Sequence, residues 1–262
     1  MNLYISANMY SPENFHEVFD LLEALDDEET GIELFPEFHD PEYEASLIRC
    51  MDKLKGRRIS FHGPYYHAEH SKDIGTPECA VTDRYFFKTL EYARLLNSKY
   101  VVFHHNNCKI KNRDEMERIS GQNLNRLNVR AEAAGTALVV ENVGVRKDER
   151  VLFNEEQFIE MARRIPNGIL IDIGHANCNG WDLENVLKSL ADKICAYHLH
   201  NNDGAEDSHR SIAEGTLDIE RFFRLYQKYT PDADLVIEYN KSYRSKPEKI
   251  VEDVKLIKAL LK

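Results

Sequence analysis

The stretch ILIDIGHAN, residues 169–177, decides the reading of this chain. Its aliphatic run is the length of a buried strand and ends in Asp172, with His175 three positions on. The pattern recurs in ISFHG (59–63), VVFHH (101–105), LVVEN (138–142), CAYHLH (195–200) and LVIEY (235–239). Metal-capable side chains thus cluster near strand ends: His62, His104, Glu141, Asp172, His175, His198 and Glu238, with Asp207 and His209 in the loop after the seventh run. Parallel strands deliver all their C-terminal ends to one face. A mouth lined by such groups is a metal site on the catalytic side of an α/β barrel.

Outward from these runs, the whole chain reads as eight strand–helix pairs. Strands are expected near 2–7, 31–35, 58–62, 99–104, 137–142, 168–173, 194–199 and 234–239. Between them lie apolar stripes at helical spacing, such as Phe86, Leu90 and Ala93, or Ile250, Val254, Ile257 and Leu261. Ser11-Pro12-Glu13, Asp40-Pro41-Glu42 and Thr76-Pro77-Glu78 each predict a helix start, with a capping oxygen, a proline and an acid in the first turn. A length of 262 residues suits one (β/α)8 barrel, and no break marks a second domain, so residues 1–262 are expected to form one unit. The long irregular stretches, about 63–76, 143–153 and 200–216, all follow strands that end in a candidate ligand.

The chain carries 34 basic and 45 acidic residues, a net charge of −11, with no Lys/Arg-rich stretch. A duplex-DNA binder gains affinity by neutralising phosphates, so nucleic acid is not the expected partner. No apolar run reaches the about 20 residues that span a bilayer, so no membrane association is expected. Residues 1–8 lack a basic start followed by an apolar core, so no signal peptide is expected. The five cysteines are scattered, with no C-x-x-C pair, which fits a reduced cytoplasmic compartment. Oligomeric state is left open, because the barrel itself accounts for the apolar helix faces.

Glu141, Asp172, His198 and Glu238 close the fifth to eighth strands, one ligand per strand. Hard carboxylate oxygens with one imidazole suit Mn²⁺, Mg²⁺, Co²⁺ or Zn²⁺, and their mutual repulsion calls for a cation. His62 and His104 would flank Glu141, a set suited to zinc. Strand alternation should turn His105 away from the mouth. His175, Asp207 and His209 could form a third site; alternatively His175 touches substrate while the other two organise the loop. Specificity is expected in the loops, at residues such as Tyr65, Tyr66, His67, Tyr243 and Arg244. Tyr65 and Arg244 are taken as substrate-binding candidates with His175 and His200.

The stretches FHGPY, YVVFHHN, LVVENVG, ILIDIGHAN, YHLHNNDG, DSHRSIAEG and LVIEYN resemble the xylose-isomerase-like TIM-barrel superfamily, which also contains the endonuclease IV type of apurinic-site endonuclease. In the sugar isomerase and epimerase branch, the resemblance implies one divalent ion on Glu141, Asp172, His198 and Glu238. Glu141 and Glu238 would then exchange protons with the substrate, which His175 touches. In the endonuclease branch it implies three zinc ions. These would sit on His62, His104 and Glu141; on Glu141, Asp172, His198 and Glu238; and on His175, Asp207 and His209. Two positions depart from the family pattern. Ala213-Glu214-Gly215 stands where the family has Gly-Glu-Gly, and His200 where the endonucleases have asparagine.

Two activities follow. One is a divalent-metal-dependent isomerase or epimerase of a sugar, sugar phosphate or polyol. The other is a multinuclear zinc phosphoesterase. Zinc or manganese, one to three ions per chain, is the expected cofactor, and a small carbohydrate or phosphoester the expected partner. The acidic balance and compact length favour the isomerase; the full ligand list leans toward the hydrolase.

Overall fold

A computed structural model describes residues 1–262. Eight parallel strands close into a barrel in sequence order: β1 (Leu3–Ser6), β2 (Gly31–Leu34), β3 (Ile59–Phe61), β4 (Tyr100–Phe103), β5 (Ala137–Glu141), β6 (Gly168–Asp172), β7 (Ile194–Leu199) and β8 (Asp234–Ile237). This is the (β/α)8 TIM barrel expected from the sequence, with strand ends shifted by a residue or two. β1 pairs with β8, with Leu3 opposite Leu235, so no edge is left open.

Strand alternation explains what each face carries. Val101, Phe103, Leu138, Val140, Ile169, Ile171, Tyr197 and Leu199 face outward into one continuous core beneath the helices. The residues between them, Tyr100, Val102, Val139, Leu170 and Ala196, form a separate small cluster inside the barrel. Two residues beyond Val102, Val139, Leu170 and Ala196 come His104, Glu141, Asp172 and His198. Period two therefore sends these four up the interior column to the mouth. Registers put Asp172 opposite His198, while Glu141 stands opposite Leu170, two residues before Asp172 on β6.

The predicted stripes are the buried faces: Phe86, Leu90 and Ala93 in the helix Pro77–Leu95, and Ile250, Val254 and Ile257 in Pro247–Leu260, with Leu261 at that helix's end only partly buried. Asp40 and Thr76 cap their helices as expected, accepting from the Glu42 and Cys79 amides. Ser11 does not. Its side chain makes no cap bond, and Pro12–Glu17 winds as a tighter 3-10 turn before the short helix Val18–Ala24 begins. No helix is long and apolar enough to cross a membrane.

Two histidines are buried behind the barrel wall. His70 packs on Phe86 and Phe103; His105 packs on Phe103 and Phe153 and shares a 2.8 Å hydrogen bond with Ser120. His105 therefore points away from the mouth. Burial, reinforced by His104, pushes both imidazoles from 6.5 down to about 3. Within that window the unfolded chain binds protons that the folded chain refuses, so stability falls as pH falls below about 6.5. His70→Phe removes one of the two sites. It is expected to flatten the dependence of the urea midpoint on pH between about pH 6.5 and 5. An unchanged slope would take His70 out of this linkage.

Candidate metal centre

Five of the histidines at the mouth are held by one ring nitrogen, which leaves the other free to face acid. His62 donates from Nδ1 to the Gly63 carbonyl at 2.6 Å, and His104 from Nδ1 to Asn107 Oδ1 at 2.9 Å. His175 donates from Nδ1 to the Asn142 carbonyl at 3.0 Å, and His209 from Nδ1 to the Glu238 carbonyl at 2.9 Å. These acceptors carry no proton, so Nδ1 is the donor and Nε2 is turned to a carboxylate; at His175 the Nδ1 edge also lies 3.3 Å from Glu141 Oε1 and 3.7 Å from Asp172 Oδ2. His198 is reversed: its Nε2 lies 2.8 Å from Glu33 Oε1, and its Nδ1 faces the mouth. Tethering one nitrogen so that the other is presented is how metal-binding histidines are oriented.

The presented atoms gather in overlapping groups. His104 Nε2 is 2.9 Å and His62 Nε2 3.9 Å from Glu141 Oε2. His198 Nδ1 lies 3.2 Å from Glu238 Oε2, 3.5 Å from Glu141 Oε2 and 3.8 Å from Asp172 Oδ2. His175 Nε2 and His209 Nε2 reach the same atom, Asp207 Oδ2, at 3.1 and 3.3 Å. His62, His104 and Glu141 form one set with mutually close ligand atoms; Glu141, Asp172 and His175 form another; His175, His200, Asp207 and His209 form a third. A fourth set, Glu33, His198 and Glu238, includes a residue the sequence reading passed over.

Local sequence explains these positions. Asp172 ends β6 and caps the helix Ile173–Asn179, accepting from the His175 amide at 2.7 Å, so the first turn swings His175 over the mouth. Gly174 is required there, since a Cβ would sit 2.0 Å from the His200 ring. Asp207 and His209 sit on a loop closed at its base by the antiparallel pair Asn201 and Arg210. His209 adopts a left-handed backbone, φ +44°. Its loop is pinned to the end of β8 by Asn240, which donates to the carbonyls of Ser208 and His209. Such backbone strain persists only where surrounding structure enforces it.

Electrostatics follow from five buried or half-buried acids facing six imidazoles. Burial alone would raise the Glu141 carboxyl, but His198 and His104 outweigh it and hold it well below the carboxylate range. Asp172 is likewise pulled down to about 2, where His175 and His200 overcome burial. Glu238 goes the other way, raised by burial despite His198 and His209. Burial disfavours charge on His198, His175 and His209, yet the carboxylates raise all three, His209 to about 10. His62 stays well below 6.5 through burial and the neighbouring His104. Protons on imidazoles thus balance the acids, and a divalent cation can take their place.

The donor set fits a metal on further grounds. His198 Nδ1, His200 Nδ1 and Asp207 Oδ1 are buried polar atoms with no hydrogen-bond partner. Clustered at one mouth, these three atoms are free to bind an ion. An imidazole nitrogen beside three carboxylate oxygens is borderline-hard chemistry suited to zinc, manganese or cobalt.

Above these groups opens a cavity of about 540 Å³. Phe35, Tyr65 and Tyr66 form its aromatic wall; Asn106, Asn107 and Asn240 line it, and Arg150 and Lys241 are its cations. Tyr65 lies in that wall, with its hydroxyl accepting from Arg150 at 3.0 Å. His175, Asp207, His209, His62, His104, Glu141 and Glu238 reach the cavity, whereas Asp172 and His198 lie beneath it. Two candidates for substrate contact sit elsewhere. His200 is fully buried against Asp172 at 2.9 Å, below the lining. Arg244 lies outside the cavity, its guanidinium forked on Glu17 at 2.6 and 2.7 Å; this acid at the end of the 3-10 turn Pro12–Glu17 draws it away. Glu33, Arg150, Lys241 and the asparagines were not singled out in the sequence. Only Glu33 carried a signal there: an acid inside the apolar run GIEL.

The model of the xylose isomerase-like TIM barrel family matches residues 19–260. Among curated proteins, the uncharacterized protein MJ1614 of Methanocaldococcus jannaschii is 30% identical over 162 residues. That match covers 57% of this chain and 63% of the relative, so the chain spans under two thirds of that protein. Among solved structures, the IOLI protein with a binding zinc atom superposes with a TM-score of 0.79 at 19% identity, covering 100% of this chain and 98% of its own. L-ribulose 3-epimerase gives 0.79 at 18% identity, with coverage of 100% and 95%. An AP endonuclease of family 2 from Brucella melitensis gives 0.70 at 13% identity, with coverage of 91% and 93%. At these identities the likeness is one of fold. The family match, running nearly end to end over a barrel closed in strand order, carries further: this chain belongs to the xylose isomerase-like TIM barrel family.

Proposed function

We propose that the protein is a divalent-metal-dependent isomerase or epimerase acting on a small sugar, sugar phosphate or polyol-derived ketone. One observation carries the reading. His198 Nδ1 stands within 3.8 Å of carboxylate oxygens from Glu141, Asp172 and Glu238, so acids from three strand ends surround one imidazole nitrogen beneath the cavity. A divalent ion there supplies Lewis acidity to a carbonyl or hydroxyl oxygen of a substrate, which acidifies the adjacent C–H. Glu141 and Glu238 are the two convergent acids that reach the cavity from this group. One takes a proton from carbon; the other, already protonated, delivers its own, on the opposite face for epimerisation or to the neighbouring carbon for isomerisation, where a hydroxyl proton also passes to the former carbonyl oxygen. The cavity has the volume of a small-molecule site, and the aromatic wall excludes water on one side. The net charge of −11 is unfavourable for a polyanion. Sugar epimerases among the proteins of like fold agree with this reading.

The test is deuterium incorporation from D2O at the carbon beside the carbonyl of keto-sugars, followed by NMR with metal-loaded protein. Metal-dependent wash-in supports the proposal. Absence across hexuloses, pentuloses and their phosphates, with turnover of phosphoesters instead, would replace it.

A specific observation favours that second reading, zinc-dependent phosphoester hydrolysis. The sets His62/His104/Glu141 and His175/Asp207/His209 offer places for further ions that proton transfer does not need. His209→Ala decides whether the outer set holds metal. A fall in metal content by about one ion per chain is expected if it does. Unchanged content with altered substrate affinity assigns His209 to the loop.

A further inference from the structure

We propose that Glu33 is the positioning residue for the metal centre: a buried carboxylate that locks His198 so that Nδ1, not Nε2, meets the ion. The inference deepens the metal-dependent reading above and rests on it.

Glu33 lies on β2, with no accessible surface. Its interior neighbours by register are Ser6 and Ser60. Oε1 is 2.8 Å from His198 Nε2, and Oε2 accepts from the Ser60 hydroxyl at 3.2 Å. Its one ion-pair partner is His198, across the barrel. A carboxylate buried without a strong cation is costly, so its retention calls for a purpose. The two edges of the His198 ring supply one. Glu33 takes the Nε2 edge, and the Nδ1 edge, without a hydrogen-bond partner, faces Glu141, Asp172 and Glu238. Rotating the ring by half a turn would place a carbon where Nδ1 now stands. The Glu33–Ser60 pair prevents this, and the negative charge behind the ring makes it a stronger donor to a cation. The set Glu33/His198/Glu238 is thereby read as one ligand, its orienting acid and a second ligand, not as a separate ion site.

The experiment uses the full-length protein, wild type and the variants Glu33→Gln and Glu33→Leu. Zinc affinity is measured by competition with a chromophoric chelator. Thermal unfolding is recorded metal-free, and the zinc-loaded forms are examined by 15N NMR of the histidine rings. Wild type is expected to bind zinc through His198 Nδ1 with a proton on Nε2. Glu33→Leu should weaken zinc binding by about 10- to 100-fold. Glu33→Gln keeps an acceptor for Nε2–H without the charge, so it should fall between the two, with the Nε2 proton shift moved. A purely structural role would lower metal-free stability and leave zinc affinity per folded molecule unchanged. Wild-type affinity in the variants, or zinc on Nε2, overturns the assignment. Should Glu33→Leu fail to fold, Glu33→Gln decides alone: unchanged affinity with an unmoved Nε2 signal overturns it. Failure of the metal reading itself shows separately, as a wild-type protein that takes up no zinc.

Discussion

Glu141→Gln is expected to lower turnover by about 10⁴-fold and to reduce metal content in the same preparation. Glu141 is the acid shared between sets. Its Oε2 serves His104 and His198, while Oε1 lies 3.3 Å from His175 Nδ1. Glutamine preserves the volume and one acceptor oxygen, so the barrel should stay folded. It removes the negative charge that balances His104 and His198, and it removes the proton acceptor at the cavity floor. Two losses coincide, which makes this the largest single-residue effect expected. They are separated by assaying at saturating metal: restored occupancy without restored turnover identifies the proton-transfer role. A fully active variant would remove Glu141 from the chemistry.

Exhaustive metal removal is expected to abolish turnover and to lower the unfolding temperature, with both recovered on adding zinc or manganese. Binding to the folded state alone stabilises by about 4 kcal/mol when the free ion is about 1,000 times its Kd. The effect should be steep because the acids at the mouth are close and buried. Without an ion they depend on protonated imidazoles, and His209, held up to about 10, loses its proton as pH rises. The imidazolium contribution is fully present below about 6.5 and is lost through the folded value of about 10. Metal-free protein should therefore become less stable from neutral toward alkaline pH, while the loaded protein does so less. Equal alkaline sensitivity of the two forms would contradict the exchange of protons for metal. Activity that survives complete removal would reject isomerase and hydrolase readings alike.

Much of this arrangement was legible in the residues because a strand has period two. Once Val139 is interior, Glu141 must be; the same holds for Leu170 with Asp172 and Ala196 with His198. His105 could be turned away from the mouth by the same rule that turned His104 toward it. Where this rule stops, so did the reading. Arg244 follows β8 in a short 3-10 turn, Lys241–Ser245, and its direction depends on Glu17 more than 200 residues away. His200 lies just beyond β7, and its close approach to Asp172 depends on Gly174 having no side chain. Glu33 satisfied the alternation rule but sits one residue before the end of β2, inside the barrel rather than at its rim. An acid inside an apolar run was the signal, and a partner on the far side of the barrel was its explanation. The aromatic wall and the cavity cations belong to loops, whose side-chain directions no periodicity specifies.

The central claim is that this mouth is a divalent metal centre. Elemental analysis of protein purified without chelators tests it most directly. The account predicts at least one zinc, manganese or cobalt per chain, with one ion favouring the isomerase and three the hydrolase. Protein that carries no divalent metal, and takes none up when titrated with zinc or manganese, would contradict it.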